Sequence, residues 1–165
     1  MTIILDLDYT LLDTVKFKDD YFSRGDDVLA RTGEYLYPGA IEFLGRLRSS
    51  GARMVLLTFG EVAWQTAKVD RAGLRPYFDE VIATIDEKKN VIGSFRGGEV
   101  VVINDNGHET AAMMAAAPEF KYILKRGPKG VPEGLACHIV DTFDEVEKLL
   151  SIETSILSFQ AAPQR

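Results

Sequence analysis

Four short polar segments carry the residue types of phosphoryl chemistry. Asp6-Leu7-Asp8-Tyr9-Thr10-Leu11-Leu12-Asp13 follows the apolar run Thr2–Leu5, and Thr58 follows Val55-Leu56-Leu57. Asp86-Glu87-Lys88-Lys89 precedes the pair Val91-Ile92, and Asn104-Asp105-Asn106-Gly107-His108-Glu109 follows Val100–Ile103. Together they offer carboxylates for a hard divalent cation, a hydroxyl and an ammonium group. Mg²⁺ takes oxygen ligands and commonly works with phosphate. Lys and Thr suit the non-bridging oxygens of a phosphoryl group. Each piece alone has a plainer reading: a turn for Asp-x-Asp or Asn-Asp, a helix cap for Thr58, a solvated charge for either lysine. Four pieces in one order, each at a strand end or helix start, carry the chemical reading.

The elements that must position them are visible as runs. Thr2–Leu5, Arg53–Leu57, Val81–Ala83, Val100–Ile103 and Tyr122–Leu124 are short and rich in β-branched residues, so they read as buried strands. They alternate with helical patterns, which predicts an α/β fold with a doubly wound, Rossmann-like parallel sheet and helices on both faces. In such sheets the ligand crevice lies outside the carboxyl ends of the strands, where the four segments fall. Pro38 reads as the first turn of a helix with Ile41, Leu44 and Leu47 inward and Gly51 at its end. A second helix carries Val62, Thr66 and Val69 on one face and ends at Gly73. Thr142-x-x-Glu145 is a capping box before Val146, Leu149 and Leu150.

The chain has 165 residues, 46% hydrophobic and 27% charged, which fits one globular domain. Residues 1–150 read as its core with a short insert at 14–37, and 151–165, ending Ala-Ala-Pro-Gln-Arg, as a loose tail. A net charge of −6 argues against nonspecific nucleic-acid binding. No apolar run approaches the roughly 20 residues of a membrane span, and Asp6 and Asp8 in the first run argue against a secretory signal. The single cysteine, Cys137, has no intrachain partner, so a cytoplasmic setting is expected.

Over residues 1–150 these motifs resemble the haloacid dehalogenase-like hydrolase superfamily, in its minimal-cap phosphatase type. The match rests on Asp6-Leu7-Asp8-Tyr9-Thr10, on Thr58, on a lysine before an apolar helix, and on Asn104-Asp105 with Glu109 four residues on. The stretch from Tyr37-Pro38-Gly39 to Gly51 is similar to the helix that precedes the family's second motif. The resemblance implies that Asp6 is a nucleophile forming an aspartyl-phosphate, and that Asp8 protonates the leaving oxygen and then activates water. Thr58 and a lysine would hold the phosphoryl oxygens. Asp6, the backbone carbonyl of Asp8, and Asp105 would bind Mg²⁺. Lys88 is preferred over Lys89 because it places Val91 and Ile92 at +3 and +4. Asp8 favours phosphate esters, since dehalogenase-like relatives lack this second carboxylate. Tyr9 stands where the family usually has glycine, Phe59 where it often has asparagine, and Asn104 where an acidic or small residue is more usual.

The expected activity is that of a Mg²⁺-dependent phosphomonoesterase. The alternative is a non-catalytic member of the family, or a receiver-like domain that binds in response to phosphate; a receiver would lack Asp-x-Asp-x-Thr. The gaps from Asp13 to Pro38 and from Gly60 to Lys88 hold 24 and 27 residues, too few for a full cap domain. An open site suits a phosphorylated small molecule, a bulky phosphorylated substrate, or a lid from a second copy in a homo-oligomer. Lys16, Phe17, Lys18, Tyr21, Phe22 and Arg24 read either as a basic, aromatic rim or, preferred, as an amphipathic helix with its aromatics inward. His108 and His138 lack partners at ligand spacing and read as structural or exposed. The loop Arg126-Gly127-Pro128-Lys129-Gly130 falls near the active edge but lacks a P-loop signature.

Overall fold

Every apolar run becomes a strand in the computed structural model, which describes residues 1–95 and 97–150. The strands are β1 (Thr2–Leu5), β2 (Arg53–Phe59), β3 (Glu80–Thr84), β4 (Val100–Asn104), β5 (Lys121–Lys125) and β6 (His138–Val140). The sequence reading omits β6, whose three residues are too few to show a period; its Ile139 is exposed. All pairings are parallel, in the order β3-β2-β1-β4-β5-β6. The winding therefore reverses between β1 and β4, and the crevice opens beyond their carboxyl ends. The tail at 151–165 lies outside the described residues.

Period-two alternation divides the interior. Ile3, Leu5, Met54, Leu56, Val101 and Ile103 enter one core; Ile4, Val55, Leu57, Val100 and Val102 enter the other. Helices α1 (Thr14–Arg24), α2 (Asp26–Ala30), α3 (Ala40–Ser49) and α4 (Val62–Arg71) bury residues in the first core, with a last helical segment over 143–150. Helices α5 (Lys88–Ile92) and α6 (Gly107–Ala116) cover the second. The capping box forms: Glu145 N–H donates to Thr142 Oγ1, and the amides of Asp141 and Thr142 donate to the Glu145 carboxylate. Phe143, Val146 and Leu150 follow it into the core, with Phe143 stacked on Phe43.

Two helix faces differ from expectation. Pro38 is outside α3: Gly39, in the left-handed region at φ +81°, intervenes. The inward face is Ala40, Phe43, Leu44 and Leu47, and Ile41 is exposed. In α4 the inward residues are Gln65, Lys68 and Val69, while Val62 is exposed. The reason is position. Its first turns lie beside the crevice, so polar side chains are buried there by partners rather than by apolar neighbours.

Residues 14–37, expected as an insert, hold α1, α2 and a 3₁₀ turn at Thr32–Tyr35. The amphipathic reading holds for Phe17, buried against Tyr21, Tyr35 and Trp64. It fails for Phe22, which is 85% exposed. Tyr35 donates to Asp20 at 2.6 Å, and Arg24 donates to the same oxygen at 2.5 Å. Among the described residues no helix is long and apolar enough to cross a membrane.

Candidate active site

The sheet brings three of the four polar segments to one cleft of about 300 Å³, whose lining includes Asp6, Asp8, Lys88, Asp105 and Glu109; at the second, Phe59 and Gly60 line it and Thr58 does not. A second hollow of about 360 Å³ continues from it past Lys88 and Glu109 toward His108. A cavity of about 570 Å³ near Cys137 and His138 has no carboxylate in its lining and lies apart from this chemistry. Asp6 is buried directly after β1, its amide donating to Ile103 of β4.

Lys88, the first residue of α5, is 2% exposed. Its Nζ lies 2.7 Å from Asp6 and 3.0 Å from Glu109, and it donates to Asn104 Oδ1 at 3.1 Å. Burial alone would lower this ammonium, but the two carboxylates outweigh it and raise the group. Ile92 is buried and Val91 half-buried against the same core, as the +3 and +4 spacing predicts. Lys89 instead pairs with Glu87 in solvent. Asn104 also donates to Asn106 O and Thr110 Oγ1, which ties Lys88 to the start of α6.

Asp8 is held by residues that the motifs do not contain. Lys68, 3% exposed, meets both of its oxygens at 2.6 and 2.7 Å. Thr14 Oγ1 donates at 2.8 Å and Gln65 Nε2 at 3.0 Å. Burial alone would raise Asp8, yet Lys68 first, then Thr14 and Gln65, hold it below the usual carboxylate range. Sequence reading missed Lys68, Gln65 and Thr14. The only signal available was the polar residue spacing on α4, which without a tertiary partner reads as a solvated face.

Thr58 is fully buried and does not cap a helix; Glu61 takes that position, accepting from Ala63 and Trp64. Asp105, 2% exposed, is pushed up to about 7 by burial and then by the Asp6 charge. The loop after β5 closes over it: a Cβ on Gly127 would stand 2.7 Å from Asp105 Oδ2, so only glycine allows this approach. Lys129 of that loop lines the cleft, as does Lys18 of the insert. His108 lines only the adjoining hollow, and His138 is exposed beside the separate cavity.

Tyr9 has φ +61°, the one positive φ on a non-glycine residue among those described. Glycine would adopt it without strain, whereas an L side chain meets its own backbone there. Phe59, 49% exposed, stands at the cleft's rim.

Buried polar atoms without a hydrogen-bond partner gather at this edge. Among the described residues they are Thr10 Oγ1, Thr58 Oγ1, Gln65 Oε1 and Asp105 Oδ2, on residues that follow β1, stand at the end of β2, begin α4 or follow β4. Buried polar groups are ordinarily satisfied, and an orphaned one costs free energy. Gln65 and Asp105 line the cleft itself, and orphaned atoms there are what a polar ligand would complete.

The fold is shared with solved structures of low sequence identity. A HAD phosphatase from Thermococcus onnurineus superposes with a TM-score of 0.69 at 18% identity, over 90% of this chain and 97% of that one. The L-2-haloacid dehalogenase of Xanthobacter autotrophicus, with chloropropionic acid covalently bound, gives 0.67 at 11% identity over 91% and 98%. The HAD-type protein YfnB of Bacillus subtilis, bound to magnesium, gives 0.65 at 16% identity over 90% and 97%. No curated protein matches the chain by sequence. The sequence model of the haloacid dehalogenase-like hydrolases matches residues 12–117, and with that match the chain belongs to this family of hydrolases.

Proposed function

We propose that the protein hydrolyses phosphomonoesters through a phosphoryl-enzyme formed on Asp6, with Mg²⁺ as cofactor. One observation carries this reading. Two of the orphaned buried atoms, Thr58 Oγ1 and Asp105 Oδ2, are on the residues that would receive a phosphoryl oxygen and a cation. Asp8 selects the ester over the halide, because a second cleft carboxylate has acid–base work only where an alkoxide leaves.

A cation fits the donor set. Burial and the Asp6 charge raise Asp105, so two buried carboxyls oppose each other where a divalent cation would serve both. Among the described residues no three His, Cys, Asp or Glu side chains cluster as a ready metal site. Asp6, Asp105 and the backbone carbonyl of Asp8 would therefore hold Mg²⁺ with substrate and water oxygens, a sparse protein set that this ion accepts. Once bound, it would neutralise charge on the transferring group.

The chain's own residues do the rest. An Asp6 oxygen attacks phosphorus, the Asp6 O–P bond forms, and the ester P–O bond breaks with its electrons on the leaving oxygen. Asp8 supplies the proton to that oxygen, then takes one from water as the water attacks phosphorus. Inorganic phosphate leaves and the Asp6 carboxylate returns. Lys88 and Thr58 hold the non-bridging oxygens throughout. Lys68, Thr14 and Gln65 stabilise Asp8 as a carboxylate once its proton has passed to the leaving oxygen, the form that then takes a proton from water and leaves Asp8 protonated for the next ester.

The test is phosphate release from a panel of alkyl and aryl monoesters, with and without Mg²⁺, with Asp6→Asn as the blank. Expected are Mg²⁺-dependent turnover and a phosphoryl adduct on Asp6 after acid quench. Full activity after exhaustive chelation overturns the metal assignment. Tight phosphate-ester binding without any turnover favours the non-catalytic alternative.

A further inference from the structure

Four lysines line the cleft, and they divide into two pairs. Lys88 and Lys68 are buried, and each is matched by carboxylates. Lys18, on α1, and Lys129, in the loop after β5, are exposed; no described carboxylate lies within ion-pair distance of either ammonium, and Lys129 acts on Asp105 only through its field. They come from distant parts of the chain to one ring. Lys18 Nζ stands 5.7 Å and Lys129 Nζ 5.5 Å from the centre of Tyr9, and Lys18 also donates to the Tyr9 hydroxyl at 3.4 Å.

Cation–π attraction accounts for each lysine singly, and the Asp105 charge favours Lys129, but two like charges beside one ring repel and an anion near both would offset this. The ring itself is held there against strain, at φ +61°. An acidic chain of net charge −6 repels a multiply charged anion in general, so a local positive rim is what would admit one. Depth decides which part of a substrate meets it. The scissile phosphoryl would lie against buried Lys88 and Thr58, leaving the exposed lysines at the mouth for the leaving group.

We propose that Lys18 and Lys129, bridged by Tyr9, form a second anion subsite at the cleft mouth. The substrate class is then a phosphomonoester whose leaving group bears a further phosphate or carboxylate. This rests on the phosphohydrolase reading for the position of the first phosphoryl group.

The experiment uses Asp6→Asn protein with Mg²⁺ and three probes: propyl phosphate, 3-carboxypropyl phosphate and propane-1,3-diyl bisphosphate. Calorimetry should show the bisphosphate binding about tenfold more tightly than propyl phosphate at low salt, the sum of two exposed ion pairs. That preference should shrink at high ionic strength. Lys18→Gln and Lys129→Gln should each remove part of it, and together reduce it to within about twofold. A carboxylate preference equal to the bisphosphate's defines a general anion subsite; a smaller one defines a phosphate subsite. Equal binding of bisphosphate and propyl phosphate, no binding of the bisphosphate, or a preference that survives the double substitution overturns the proposal. Wild-type turnover separates the two readings. Hydrolysis of propyl phosphate without a binding preference removes the subsite alone. A lysine-dependent preference with no hydrolysis of any probe removes the phosphohydrolase and keeps the subsite.

Discussion

Asp6 and Asp8 stand two residues apart after β1, and each meets a buried lysine, yet the two pairs are built differently. Lys88 divides itself among Asp6, Glu109 and Asn104. Lys68 gives both of its hydrogen bonds to Asp8. Burial raises Asp6 above the usual carboxylate range, with Lys88 opposing it and Glu109 and Asp8 adding to it. Asp8 is instead held below that range by its own lysine, Thr14 and Gln65. A buried ion pair is weak evidence for stability, since desolvation offsets much of the attraction. Both pairs face the cleft, and their difference suits two roles: a shared lysine with capacity left for phosphoryl oxygens, and a clamp that fixes one carboxyl group in orientation and eases its loss of a proton.

The largest effect should come from breaking the first pair at its carboxylate. Asp6→Asn is nearly isosteric but removes the nucleophile, and kcat should fall by about 10⁴–10⁶ with the melting transition retained. Phosphate release and the loss of the phosphoryl adduct measure it; turnover near wild type would dismiss the covalent route. Asp8→Asn should cost about 10²–10⁴ on alkyl phosphates. In single-turnover phosphorylation the loss on nitrophenyl phosphate should be much smaller, because nitrophenolate leaves without a proton. Equal losses on both would assign Asp8 to the metal or the fold.

Lys68→Met tests the clamp. Removing one partner of a buried pair costs about 3 kcal/mol, read by denaturant unfolding. Turnover should fall by about tenfold, less than the loss of Asp8 itself, because Thr14 and Gln65 still orient the carboxylate. A loss as large as that of Asp8→Asn would make the lysine a direct participant.

The smallest effect concerns Asp105. Its carboxyl is raised from 3.8 to about 7, so its protonated form favours the folded state. That contribution is complete below pH about 4 and is lost as pH rises through about 7. Metal-free Asp105→Asn should therefore melt close to wild type at pH 5 and above it at pH 8. Mg²⁺ should raise the wild-type transition more than the variant's at pH 8. A variant less stable than wild type at pH 8 without metal would show that this carboxylate is satisfied in its charged form.

The sequence by itself determined the strand order's chemistry more than its edges. Short apolar runs become strands because buried parallel strands need nothing else locally; Asp6 and Asp105 are readable because each directly follows one, Asp8 because it stands two residues past Asp6, and Thr58 because it stands at the end of β2. Lys88 is readable from its +3 and +4 neighbours, which share its buried face. Three-residue β6 carries no period and stayed invisible. Only the tertiary structure decided that Lys68 belongs to Asp8, that Tyr9 adopts a left-handed backbone, and that Lys129 joins Lys18 at one ring. The physical reason is common to all three. A lysine on a helix or loop has the same local preferences whether it meets water or a buried carboxylate. What distinguishes these is the partner, set by how α1, α4 and the loop after β5 pack around the end of β1, a relation between distant segments that no local pattern records.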